Sequence, residues 1–220
     1  MHPHQTAFLE LALEHEVLKF GSFTLKSGRV SPYFFNLGKI SSGAAMARLA
    51  RAYAEAIRQS GIAFDTLFGP AYKGIPLATA VAYALSEQGL DVPYAYNRKE
   101  AKAHGEGGTL VGAALAGQKV LIVDDVLTAG TAMREAVAMI RAAGGTPVAA
   151  VIALDRMERG AGALSAVAQM QADTGVQVVS LVSVQEILTY LAAGHGAGVI
   201  EPHTVSAIRQ YQAEYGVTST

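Results

Sequence analysis

Residues 119–132, KVLIVDDVLTAGTA, set two adjacent carboxylates, Asp124 and Asp125, between an aliphatic run and a turn of small, hydroxyl-bearing residues. An aliphatic run of this kind reads as a buried strand, and in a parallel sheet the carboxyl end of such a strand faces the ligand crevice. The turn Thr128-Ala129-Gly130-Thr131 offers backbone N–H groups that a ligand can approach closely, hydroxyl donors, and a following helix with a positive amino end. Those are the parts of a phosphate site. Carboxylates repel phosphate, so Asp124 and Asp125 need another partner. Paired acceptors suit a vicinal diol, such as the 2- and 3-hydroxyls of a ribose. A sugar with a phosphate at one end satisfies both halves of the stretch.

Other residues could bind anions or a planar ring. Lys73 precedes Gly74 at a strand-to-helix junction, a position that favours an anion. Arg156 follows an apolar strand, where it could pair with a carboxylate through two parallel bonds or stand as a solvated end. Phe34-Phe35 could offer aromatic surface to a flat ring or belong to the core. Residues 97–109, NRKEAKAHGEGGT, contain no large apolar side chain but carry Arg98, Lys99, Lys102 and His104. A stretch so poor in burial cannot offset the entropy of fixing its backbone, so a mobile loop is expected over about 98–109. Ordering it would cost on the order of 10 kcal/mol, which only a multiply charged ligand could offset. His2, His4 and His15 lack ligand spacing, and no dedicated metal cage is evident.

Positioning these groups falls to a repeating strand–loop–helix pattern. FDTLFGP leads through AYKG into IPLATAVAYALSEQ; DVPYAYN leads into the basic loop; KVLIVDD leads into TAMREAVAMIRAAGG; TPVAAVIALDR and VQVVSLV follow. Strands alternating with helices of this length indicate an α/β fold, a parallel sheet with helices on both faces. Ahead of it, helical spacing runs over residues 5–20, and SFTLKSGRVSPYFFN reads as two short strands around a turn at 26–29. Ser41-Ser42 could cap a helix running to Gly61, and two helices, SVQEILTYLAA and EPHTVSAIRQYQAEYG, close the sequence.

The 220 residues are enough for one domain with a sizeable core. Charged residues make up 16 % of the chain, against about 25 % in typical globular domains. A net charge of −1 gives no general pull toward nucleic acid or membrane, so any polyanion site must be local. There is no cysteine, hence no disulfide and no thiolate chemistry. No apolar run approaches the ~20 residues of a membrane span, and the first residues do not read as a signal peptide, so a cytoplasmic location is expected.

The stretch at 119–132 resembles the phosphoribosyl-diphosphate signature of type I phosphoribosyltransferases. LKSGRVSPYFFNLGKI at 25–40 narrows the resemblance to the orotate phosphoribosyltransferases, and GPAYKG, NRKEAKAHGEGG, DDVLTAGTA and ALDR follow in that family's order. Members acting on adenine or hypoxanthine lack the LKSGR and YFFN elements. The resemblance implies a single domain over 1–220: a parallel-sheet core over about 41–190 and a small hood from about 1–40 plus C-terminal elements. It implies transfer of ribose 5-phosphate from phosphoribosyl diphosphate to orotate, giving orotidine monophosphate and diphosphate in pyrimidine synthesis.

The same resemblance implies roles. Asp124 and Asp125 would hold the ribose hydroxyls, and Val126, Leu127, Thr128, Ala129, Gly130, Thr131 and Ala132 would wrap the 5-phosphate. Tyr72 and Lys73 would hold the diphosphate, with Arg98, Lys99, Lys102 and His104 added from the mobile loop. Lys26, Phe34, Phe35, Thr128 and Arg156 would frame the orotate side, Lys26 also reaching phosphoribosyl diphosphate. Lys102, Asp124 and Asp125 are the expected catalytic residues. Mg2+ would be bound mainly through the substrate diphosphate, with no protein metal site. The partners implied are the two small substrates and a second copy of the chain, a homodimer sharing the loop, with neither nucleic acid nor membrane. Two alternatives are a transferase for another base and a regulator that senses phosphoribosyl diphosphate. The regulator would need a basic face or an added DNA-binding segment, whereas the charge here is near neutral and basic residues cluster in one loop that suits diphosphate.

Overall fold

The computed structural model describes residues 1–25, 27–102, 108–127, 130–160, 162–195 and 203–217. In chain order the elements are α1 (Pro3–Glu14), β1 (Leu18–Thr24), β2 (Val30–Phe35), α2 (Gly43–Ser60), β3 (Thr66–Gly69), α3 (Gly74–Glu87), β4 (Tyr94–Lys102), β5 (Gly108–Gly112), β6 (Lys119–Val123), α4 (Thr131–Ala142), β7 (Thr146–Asp155), α5 (Ala166–Thr174), β8 (Gln177–Ser183), α6 (Val184–Ala192) and α7 (Thr204–Tyr215).

A six-stranded sheet in the order β5-β4-β3-β6-β7-β8 forms the centre. Its strands run parallel except β5, which pairs antiparallel with β4. Side-chain alternation sends Leu121 and Val123 of β6 to one face and Val120 and Ile122 to the other, and all four are buried. The first face packs on α1, α2, α3 and α6, the second on α4 and α5. This two-sided burial makes 119–123 an unbroken aliphatic run. The β1–β2 hairpin stands outside the sheet as a separate ribbon, and α7 packs on β2.

The topology places a crevice. From β3 the chain passes through α3 to β4 on one side; from β6 it passes through α4 to β7 on the other. Because α3 and α4 lie on opposite faces, the loops after β3 and β6 diverge at the carboxyl rim. That switch point is where open α/β sheets bind ligands.

Some expectations shift. Helical spacing reaches Phe20, yet α1 ends at Glu14; Glu16 takes a φ of 55° and Leu18 begins β1. Leu18 and Phe20 serve the hairpin, because alternating apolar residues fit either period over so short a span. Of the stretch expected as a loop over 98–109, residues 103–107 lie outside the described residues; on either side, β4 continues to Lys102 and β5 starts at Gly108. Backbone pairing needs no apolar side chains, so composition conceals it. The sequence pattern marks neither α5 nor β5. The α2 boundaries hold as expected: the Ser42 Oγ accepts from the Ala45 N–H at 3.2 Å, and Gly61 ends the helix at a φ of 65°.

Candidate active site

Asp124 and Asp125 sit at the tip of β6, on the rim of the switch point. The rim is held by backbone bonds. The Asp124 N–H donates to the Val151 carbonyl at 3.1 Å, and the Ala153 N–H donates to the Asp125 carbonyl at 2.8 Å. Val126 then forms a parallel bridge with Leu154. From beneath, the fully buried Tyr53 on α2 donates its hydroxyl to the Asp124 carbonyl at 2.9 Å.

The two carboxylates differ in surroundings. Asp125 is 8 % exposed; its Oδ1 accepts from the Val126 N–H at 2.8 Å, and its Oδ2 receives the Lys73 ammonium at 2.5 Å. Asp124 Oδ1 accepts from the Asp125 N–H at 2.9 Å. Burial, and then the adjacent Asp125 charge, raise the Asp124 carboxyl from 3.8 to about 7; the Asp125 N–H and Lys73 oppose the rise only in part. A carboxyl poised in this way gains from any ligand hydroxyl or cation that favours its ionised form.

Residues 70–73 face it across the crevice. Their position depends on two glycines that admit no side chain. A Cβ on Gly69 would stand 2.2 Å from the Gly74 carbonyl oxygen, and one on Gly74 would stand 2.5 Å from Pro70 Cδ and 3.0 Å from the Val123 carbonyl oxygen. The turn is therefore pressed against the ends of both β3 and β6. The buried Asn97 of β4 accepts the Ala71 N–H at 2.8 Å, the Ala71–Tyr72 peptide is cis, and Tyr72 is 67 % exposed toward solvent. Lys73 lies beside Asp125.

In the turn after β6, Leu127 is buried, so it can offer a ligand only its backbone. Gly130 caps α4 with a φ of 73°, a conformation suited to glycine, and α4 begins with no side chain on its cap. Thr131 and Ala132 are exposed in the first turn of α4. Lys26, His104, Thr128 and Ala129 lie outside the described residues, as do the side chains of Lys99 and Lys102. Arg98 lies half-buried in β4, the strand next to β3.

Arg156, just past β7, occupies the same rim. Its Nε donates to Glu158 Oε1 at 2.7 Å and its Nη2 to the Ser31 hydroxyl at 3.1 Å, while the guanidinium lies 4.2 Å from the Tyr33 ring centroid. Arg156 is therefore held on several sides rather than solvated, and it touches the hood strand β2. The aromatic pair divides. Phe34 is 39 % exposed and stacks on Phe23 at 5.5 Å, whereas Phe35 turns to the opposite face and packs near Phe8 at 6.3 Å. Neighbouring strand residues face opposite ways, so the two rings do not make one surface.

Tyr53, Asn97 and Glu158 were not singled out from sequence. Tyr53 reads as an ordinary helix residue, Asn97 as the edge of a polar loop, and Glu158 as one charge among several.

A family model described as "Phosphoribosyl transferase domain" matches residues 36–182. An orotate phosphoribosyltransferase of Thioalkalivibrio sulfidiphilus is 55 % identical over 99 % of this chain and all of its own length. One from Pseudomonas paraeruginosa is 56 % identical over the same share of both. The crystal structure of the Francisella tularensis orotate phosphoribosyltransferase superposes with a TM-score of 0.85 at 39 % identity, covering 95 % of this chain and 98 % of that one. A parallel sheet with an acidic pair at its switch point defines the class, and the chain belongs to the phosphoribosyltransferases. Full-length identity above one half places it among the orotate phosphoribosyltransferases.

Proposed function

We propose that the protein transfers ribose 5-phosphate from phosphoribosyl diphosphate to orotate, and that the rim just described divides the work. The observation that carries this reading is the carboxylate pair at the switch point, one acid buried near neutrality and the other against Lys73, beside a helix start with no side-chain cap. Asp124 and Asp125 accept the two ribose hydroxyls. The backbone of 126–132 wraps the 5-phosphate, with Thr128 and Thr131 adding hydroxyls. Tyr72 and Lys73 meet the diphosphate, so Lys73 exchanges its Asp125 contact for a phosphate one. Arg156 meets the orotate carboxylate, and Phe34 and Lys26 border the ring, while Phe35 supports the strand from its core face.

Cleavage at the anomeric carbon leaves positive charge on the ribose and negative charge on the diphosphate. Fixed cations facing the leaving group are therefore the main source of rate. Lys102 fills that role at the end of β4, assisted by Arg98, Lys99 and His104. Closure of their segment over the diphosphate excludes water, which competes with orotate for the ribosyl carbon.

Mg2+ is the implied cofactor. Among the described residues no group of three or more His, Asp or Glu could hold a metal, whereas two carboxylates at the crevice suit an ion that keeps its waters and binds substrate phosphates. When bound, Mg2+ would neutralise diphosphate charge. Asp124 and Asp125 would orient its waters while holding the diol.

A homodimer sharing the 98–109 segment also belongs to this reading. An apolar groove between α2 and α3, lined by Met46, Ala47, Ala50, Pro76 and Ala80 beside the exposed Tyr83, supports self-association. Among the described residues no helix is long and apolar enough to cross a membrane.

The test is loss of orotate absorbance with phosphoribosyl diphosphate and Mg2+, run beside uracil, adenine and hypoxanthine, with chelator as control. Turnover of orotate alone, abolished by chelator, is expected; turnover of another base in its place would overturn the assignment.

A further inference from the structure

Glu158 lies between two guanidinium groups. Arg156 reaches its Oε1 through Nε at 2.7 Å and Nη2 at 2.6 Å, and Arg29, from the β1–β2 hairpin, approaches its Oε2 at 3.6 Å. The acid and both arginines are largely shielded from solvent. We propose that Glu158 is a positioning residue for the acidic base: by holding Nε and Nη2 of Arg156 it fixes the direction in which that guanidinium meets the substrate carboxylate. The inference rests on the reading that Arg156 binds orotate.

The backbone around Glu158 is fixed from several parts of the chain. Met157 takes a φ of 50°, in the left-handed region that few residues with side chains adopt, and its N–H donates to Asp155 Oδ1 at 2.8 Å. That turn brings residue 158 back beside residue 156. Gln212 of α7 donates to the Arg156 carbonyl at 3.1 Å, and the Val217 N–H donates to the Met157 carbonyl at 2.9 Å. Glu158 pairs antiparallel with Gly216, and the Arg159 N–H donates to the Tyr215 carbonyl at 2.8 Å. Arg29 donates to the Arg159 carbonyl at 3.3 Å and lies 4.8 Å from the Tyr215 ring centroid. The acid is thus anchored independently of the arginine it holds.

An arginine carries many rotamers, and a substrate must pay the entropy of fixing whatever is loose. Tyr33 supports the flat face of the Arg156 guanidinium, while Ser31 and Glu158 hold one edge; none of these bonds uses Nη1. The group therefore meets a ligand with its plane already set. Arg29, Glu158 and Arg156 together keep one net positive charge, which suits an anionic ring. If a substrate carboxylate draws Arg156 partly away, Arg29 remains to neutralise Glu158, so the buried acid is not left alone. Because Arg29 sits on the hairpin, the same acid ties the hood to the base subsite.

The experiment is steady-state kinetics on the intact protein for Glu158→Gln, Arg156→Gln and the double variant, with thermal unfolding of each. Gln keeps the size of the side chain and one acceptor oxygen but removes the charge. Glu158→Gln should raise the orotate KM about tenfold, the worth of a charge-assisted hydrogen bond. The phosphoribosyl-diphosphate KM and the turnover at saturation should change by less than about threefold. In the Arg156→Gln background, adding Glu158→Gln should move the orotate KM by less than about twofold, because its target is gone. An unchanged orotate KM in Arg156→Gln alone would reject the placement of orotate itself. A raised KM in Arg156→Gln with none in Glu158→Gln would reject only the positioning role. So would an equal effect of Glu158→Gln in both backgrounds, which would mean action through the fold. Should Glu158→Gln unfold, Glu158→Asp, which keeps the charge but shortens its reach, is read by the same kinetics: a raised orotate KM with little change in the unfolding temperature supports the role, and an unchanged KM rejects it.

Discussion

The Asp124→Asn variant should be more stable than its parent in the absence of ligand, and the gap should widen with pH. The folded carboxyl titrates near 7 against 3.8 for an ordinary aspartate. Below 3.8 both folded and unfolded chains carry the proton, and the site has no cost. Between 3.8 and about 7 the unfolded chain ionises while the folded one resists, so stability falls as pH rises; above about 7 the loss is constant. At about 1.36 kcal/mol per pH unit, the interval amounts to roughly 4 kcal/mol as an upper bound. Asn removes that loss and retains Oδ1, which accepts the Asp125 N–H at 2.9 Å. Thermal unfolding of both proteins in phosphate-free, metal-free buffer from pH 5 to 8 measures the gap. At about 2–4 °C per kcal/mol for a chain of this size, Asp124→Asn should lead by roughly 10 °C at pH 8 and by about half that or less at pH 5. The same variant should lose affinity for phosphoribosyl diphosphate, the usual trade between stability and a strained site. A gap that is absent, reversed or flat across the pH range would refute the reasoning.

Gly74→Ala should lower the unfolding temperature by roughly 2–12 °C and depress activity, since its Cβ must displace Pro70 and the end of β3, an overpacking cost of about 1–3 kcal/mol; calorimetry with kinetics checks it. Tyr53→Phe removes the hydroxyl bonded to the Asp124 carbonyl and should cost about 1 kcal/mol, read as a modest shift in a urea midpoint. Lys102→Ala should lower turnover by about 10²-fold or more while both KM values move only a few-fold, as single-turnover kinetics would show. Tyr83→Glu, in the groove between α2 and α3, should shift the sedimentation velocity toward the monomer.

Local physics determined what the sequence disclosed. The rim at 119–132 was readable because a strand buried on both faces must be continuously apolar, and because acids at its end stand out. The α2 ends were readable from Ser42 and Gly61, which act on their own helix. The continuation of β4 through Arg98 to Lys102 was hidden, since it rests on main-chain pairing with β5. Phe34 and Phe35 looked like one surface until the strand separated them. The supports of the site were hidden for another reason. Tyr53 lies 71 residues from Asp124, and Ser31 lies 125 residues from Arg156, so no local pattern links them. Motif residues carried their own signal, whereas the residues that hold them became visible only in three dimensions.

The most direct measurement is a crystal structure of the protein soaked with ribose 5-phosphate and Mg2+. The proposed site puts the sugar's 2- and 3-hydroxyls on the carboxylates of Asp124 and Asp125 and its phosphate within the backbone of 126–132. Sugar density at any other rim, with the acids still facing only Lys73 and each other, would contradict it.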